Sequence, residues 1–64
     1  MNIIIERTNT TIEREFTGTA AALLDDLKIN PVTVIVAADG MLVPLDTNIS
    51  SAKEINILTI VSGG

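Results

Sequence analysis

The chain contains no Cys and no His, so it lacks thiolate and imidazole: the soft metal ligands, the most reactive side-chain nucleophile and the commonest general base. Zinc sites, thiol catalysis and a Ser-His-Asp arrangement are excluded on that ground. Phe16 is the single aromatic residue, which removes a base-stacking platform for single-stranded nucleic acid. Basic side chains are scarce as well. Arg7, Arg14, Lys28 and Lys53 stand against eight acidic residues, and the formal net charge of −4 repels a phosphate backbone. No apolar run approaches the length of a membrane span, and no basic segment followed by an apolar stretch opens the chain. The expectation is a soluble, cytoplasmic protein with no metal site and no bound cofactor; the lack of disulfides agrees with a reducing compartment.

What is present is an ordinary apolar core in a small frame. A chain of 64 residues allows one domain and buries only about 60% of the surface its unfolded form exposes, which argues against a deep catalytic cleft. Apolar residues make up 47%, mostly Ile, Val, Leu and Ala, too many for a disordered segment. Asn2 to Glu6 is β-branched at its centre and predicts a strand; Ile12 to Phe16, after the polar stretch Arg7 to Thr11, predicts the second arm of a hairpin. Alternation points Ile3 and Ile5 inward on the first arm and Ile12 and Phe16 on the second, which carries Arg14 to the same side.

Thr17-Gly18-Thr19 offers hydroxyl caps to the run Ala20 to Leu27, whose apolar groups at 20, 23, 24 and 27 share one face of a short helix. Asn30-Pro31 predicts its stop, because a residue before proline is pushed out of the α region. Val32 to Ala37 reads as a third strand. Ala38-Asp39-Gly40-Met41 reads as a tight turn into Leu42-Val43, with Pro44 marking an edge. Asp46 to Lys53 reads as a polar connection around Ile49, and Glu54 to Val61 as the last strand. The expected fold class is α+β: a β-grasp, or ubiquitin-like, arrangement with a four- to five-stranded mixed sheet and one helix across one face. Residues 1–61 form that domain. Its expected core includes Ile3, Ile5, Phe16, Leu23, Leu24, Leu27, Ile55 and Ile57.

The last three residues, Ser62-Gly63-Gly64, follow the final strand directly. Average glycine usage gives two consecutive glycines at a given site a chance of roughly 0.5%, so the pair is worth a functional reading. A tail without side chains threads a narrow channel at any backbone angle and carries its α-carboxylate into a site closed to bulkier residues. The competing reading is a frayed end whose glycines merely terminate the strand.

Leu23-Leu24-Asp25-Asp26-Leu27, the Val32 to Val36 strand, Asp39-Gly40-Met41-Leu42-Val43-Pro44, and Ile55-Asn56-Ile57 running to Val61-Ser62-Gly63-Gly64 together resemble the ThiS and MoaD sulfur carriers and the archaeal ubiquitin-like small modifiers. Two stretches depart from the pattern: Ala38-Asp39-Gly40 stands where Asn-Gly is common, and Lys53-Glu54 where Gly-Asp usually precedes the last strand. The resemblance implies a carrier, not an enzyme, with no catalytic residue of its own. It implies that a ubiquitin-activating-type adenylating enzyme, using ATP and magnesium, joins the Gly64 carboxylate to AMP while Ser62 and Gly63 thread its channel as a flexible tail. A persulfide on a sulfur-donor enzyme then leaves a thiocarboxylate for thiamine, molybdopterin or tRNA thiolation. Attack by a target-protein lysine would instead give an isopeptide bond and a modifier, and a plain binding module with an inert tail is the third possibility.

Period two on the last strand separates Ile55, Ile57, Thr59 and Val61 from Asn56, Leu58, Ile60 and Ser62. With Ile55 and Ile57 toward the helix, Leu58 and Ile60 stand on the open face beside the tail, where the partner is expected to dock. The adjacent Asp25 and Asp26 point in different directions on a helix and read as a solvated face.

Overall fold

The computed structural model describes residues 1–60. Five strands, β1 (Asn2–Ile5), β2 (Thr10–Glu13), β3 (Val34–Ala38), β4 (Met41–Val43) and β5 (Glu54–Thr59), form one sheet in the order β2-β1-β5-β3-β4, and one helix, α1 (Ala20–Asp26), lies between β2 and β3 in sequence. The central pair β1 and β5 is parallel and every other pairing antiparallel. This is the β-grasp, with five strands in the mixed sheet.

Register explains which side chains meet the helix. One row across the sheet runs Ile12, Ile3, Ile55, Ala38, and the next runs Ile5, Ile57, Val36, Val43. Ile3, Val36, Ile55 and Ile57 are fully buried beneath Ala20, Leu23 and Leu24 of α1, and Ile5, Phe16 and Leu27 pack around them half-buried. Burying one such side chain contributes about 1.5–3 kcal/mol, a large share of what a domain of this size has in hand.

Several strand boundaries differ from the sequence reading, two of them with consequences for the core and its edges. The second strand is Thr10–Glu13, two residues earlier than expected, so neither Arg14 nor Phe16 belongs to it. Arg14 therefore does not point into the core; its guanidinium pairs with Asp26 at the end of α1. The hairpin connection is correspondingly short: a single 3-10 turn, Glu6–Thr8, closed by Asn9 in the left-handed region. The third strand begins at Val34 because Pro31–Thr33 forms a 3-10 turn, with the Asn30 side chain accepting from Val32 N–H.

The helix also ends sooner than Pro31 requires. Lys28 adopts φ 62°, its N–H donates to the Asp25 carbonyl, and Ile29 N–H donates to the Leu24 carbonyl at 2.9 Å. That pair of bonds is a Schellman motif, here closed by a lysine in a conformation that glycine usually supplies. At the other end Thr19 Oγ1 accepts from Ala22 N–H, while Ala20 and Ala21 donate to the carbonyls of Thr47 and Leu45. All three leading helix donors are thus satisfied, two of them by a distant loop.

That loop carries the largest departure in the core. Ile49, expected as part of a polar connection, is 1% exposed and belongs to the central cluster. Ile49 N–H donates to the Gly18 carbonyl and Gly18 N–H to Ser50 Oγ, both at 2.9 Å, so the loop is fastened to the helix entry from both sides. Gly18 holds φ 136°, and a Cβ there would meet the Phe16 ring at 3.3 Å.

Candidate functional site

The face of the sheet away from α1 carries no covering element among the described residues. Ile4 on β1 pairs with Asn56 on β5, Asn56 with Ala37 on β3, and Ala37 with Leu42 on β4; one step along, Leu58 pairs with Ile35. Ile60 N–H donates to the Thr33 carbonyl at 2.9 Å, continuing the ladder past β5 at the parity of Leu58. Leu58 and Ile60, expected from period two alone, therefore stand on the open face. Four more apolar residues join them, Ile4, Ile35, Ala37 and Leu42, which sequence reasoning missed because only cross-strand register brings them to one face.

Exposure within this strip is graded. Leu58, Ile4 and Ile35 shelter one another and are half-buried, whereas Leu42 is 64% and Ile60 54% exposed. Charge is confined to one end: Glu13 and Glu54 flank Asn2 where β1 and β5 begin, and the apolar end is where β5 finishes. A contiguous apolar face rimmed by polar residues is the kind of surface a protein partner covers.

The start of β5 is fixed by one carboxylate. Asp39 (φ 49°) and Gly40 (φ 85°) form the two central positions of the β3–β4 hairpin, where both residues need positive φ. In this position Asp39 Oδ1 accepts from the backbone N–H groups of Lys53 and Glu54, each at 3.0 Å, and Asp39 N–H donates to the Glu54 carbonyl. The two stretches that depart from the carrier pattern, Asp39-Gly40 and Lys53-Glu54, thus touch. The carboxylate of the first caps the backbone of the second.

No polar or charged side chain is buried among the described residues, and none of their acidic residues group in threes or more to hold a metal ion. No helix among them is long and apolar enough to cross a membrane. Gly64, with Ser62 and Gly63 before it, lies outside the described residues, as does Val61 at the expected end of the last strand. Gly64 follows Ile60 by four residues, a reach of at most about 14 Å beyond the apolar end of the open face.

A model of the ThiS family matches residues 3–64, the Gly63-Gly64 pair included. An uncharacterized protein of Archaeoglobus fulgidus is 38% identical over 42 residues, a stretch amounting to 66% of this chain and 61% of that protein. The match thus spans less than two thirds of the relative's length.

Proposed function

The chain belongs to the ThiS family, and from that membership we propose that it is a sulfur carrier whose working group is the carboxylate of Gly64. A free carboxylate is a poor acyl electrophile. Activation by a partner enzyme answers this: a Gly64 carboxylate oxygen attacks the α-phosphorus of ATP, pyrophosphate departs, and the acyl group is left on AMP. A persulfide of the sulfur donor then attacks the acyl carbon, AMP leaves, and a second thiol cleaves the sulfur–sulfur bond to release the thiocarboxylate. The adenylating site and its magnesium belong to the partner, which is how a domain without His or Cys takes part.

The observation that carries this reading is the family match running through residue 64, so that the glycine pair is part of the matched pattern. The open face supports it physically. Leu58 and Ile60 lie at the end of the sheet from which the chain continues to Gly64, so an enzyme gripping that face meets the tail within the reach of four residues. Ser62 and Gly63 then serve as the threaded segment.

Deleting Gly64 tests the proposal. The reach shortens by up to about 3.6 Å, comparable with the roughly 3–3.5 Å at which reacting atoms must approach. Normal folding with loss of ATP-dependent pyrophosphate release, in the presence of the cognate activating enzyme, is the expected outcome. Adenylation at the full-length rate would overturn it.

A further inference from the structure

On the helix side of the sheet, beyond the end of α1, lies a groove of about 640 Å³. Its floor is apolar: Ile5 and Ile57, partners across β1 and β5, together with Ile29 just after the helix. Its rim carries Arg7, from the turn after β1, and Lys28, from the helix end, and Thr59 lines it where β5 finishes. None of the eight acidic residues lines it.

This is an unusual place in a chain of net charge −4. Of the four basic residues, Arg14 is paired with Asp26, and Lys53 sits beside the start of β5 at the other end of the sheet. The other two make no ion pair among the described residues and converge on one apolar groove. The net charge repels an acidic partner at long range, so attraction is focused where these two cations stand together, and the apolar floor adds what a small inorganic anion cannot use.

We propose that this groove is a second docking surface, distinct from the open sheet face, for an acidic segment of a partner protein that also carries aliphatic or aromatic side chains. Carboxylates of the segment meet Arg7 and Lys28, and its apolar side chains lie on the half-buried Ile5 and Ile29. Because Thr59 lines the same groove, the segment is held on the opposite side of the sheet from an enzyme on the open face, and both can bind at once. The inference rests on charge and shape and stands whether or not Gly64 is activated.

A random peptide library displayed on phage and selected on the immobilised full chain tests this. The expected result is enrichment of peptides that mix Asp or Glu with Leu, Ile, Val or Phe. Their synthetic forms should shift the amide resonances of Ile5, Arg7, Lys28, Ile29 and Thr59, and should bind about tenfold more weakly to an Arg7→Gln/Lys28→Gln variant whose circular dichroism is unchanged. The proposal is overturned if no peptide is enriched, if enriched peptides lack acidic residues, if they map to Leu42 and Leu58, or if the double variant binds them equally. It is also overturned if inorganic phosphate alone produces the same shifts, since the cations would then be taking a free anion.

Discussion

Replacing Asp39 with Ala removes the carboxylate that holds the start of β5. Two backbone N–H groups, those of Lys53 and Glu54, lose a charged acceptor at 3.0 Å. Hydrogen bonds to a charged group contribute about 1.5–3 kcal/mol each in sheltered settings, and Asp39 is exposed, so the pair is discounted to roughly 2 kcal/mol. Ala must also adopt the left-handed conformation that Asp39 holds at φ 49°, at a further cost of about 1 kcal/mol. Domains of this size have on the order of 3–10 kcal/mol of stability, so a loss of about 3 kcal/mol is severe. At about 4–8 °C per kcal/mol it lowers the melting temperature by roughly 12–24 °C, measured by far-UV circular dichroism. Two controls divide the effect. Asp39→Gly loses both bonds without the conformational cost and should melt between Asp39→Ala and the native chain; Asp39→Asn keeps an acceptor and should lose about 1 kcal/mol or less. If Asp39→Ala melts within about 2 °C of the native chain, the carboxylate does not hold β5 and the reasoning is wrong.

The loop role of Ile49 makes a second case: Ile49→Ala should cost about 2–5 kcal/mol, read as a lowered urea midpoint at unchanged slope, whereas a loss below about 1 kcal/mol would show that the loop is not anchored through this side chain. Replacing Leu58 and Ile60 together with Asp should leave the far-UV spectrum intact, because neither belongs to the core beneath α1, while lowering the specificity constant for adenylation at least about thirtyfold, the equivalent of roughly 2 kcal/mol at an interface. Unchanged adenylation kinetics would remove the open face from the partner's grip.

Much of this architecture is legible in the sequence because local signals agree with it. The β-branched runs at Ile3 to Ile5 and Ile55 to Ile57 and the apolar spacing at Ala20, Leu23 and Leu24 name the sheet centre and the helix face without any tertiary information. The failures occur where long-range contacts decide. Ile49 is buried because distant backbone donors and acceptors fasten its loop to the helix entry, and a lone isoleucine among polar residues carries no periodicity to announce that. Arg14 lies outside the second strand and its guanidinium meets Asp26, twelve positions on, a contact that no local signal announces. Leu58 and Ile60 followed from alternation on one strand, but Ile4, Ile35, Ala37 and Leu42 became neighbours only through register across four strands. Asp39 was legible as turn chemistry, whereas its second task, capping Lys53 and Glu54, depends on a contact 14 and 15 residues away.

The proposed chemistry leaves a mark on the molecule that requires no partner to be known in advance. Exchange of one carboxylate oxygen on Gly64 for sulfur adds about 16 Da at the acyl terminus and nothing elsewhere. Intact-mass spectrometry of the protein isolated from its source under conditions that preserve thioacids, followed by fragmentation of the C-terminal peptide, reads this directly. A population about 16 Da heavier than the unmodified chain, with the increment confined to Gly64, is the predicted result. A chain whose mass shows further residues after Gly64, or one found only with an unmodified terminus while its source is actively thiolating, would contradict the sulfur-carrier account.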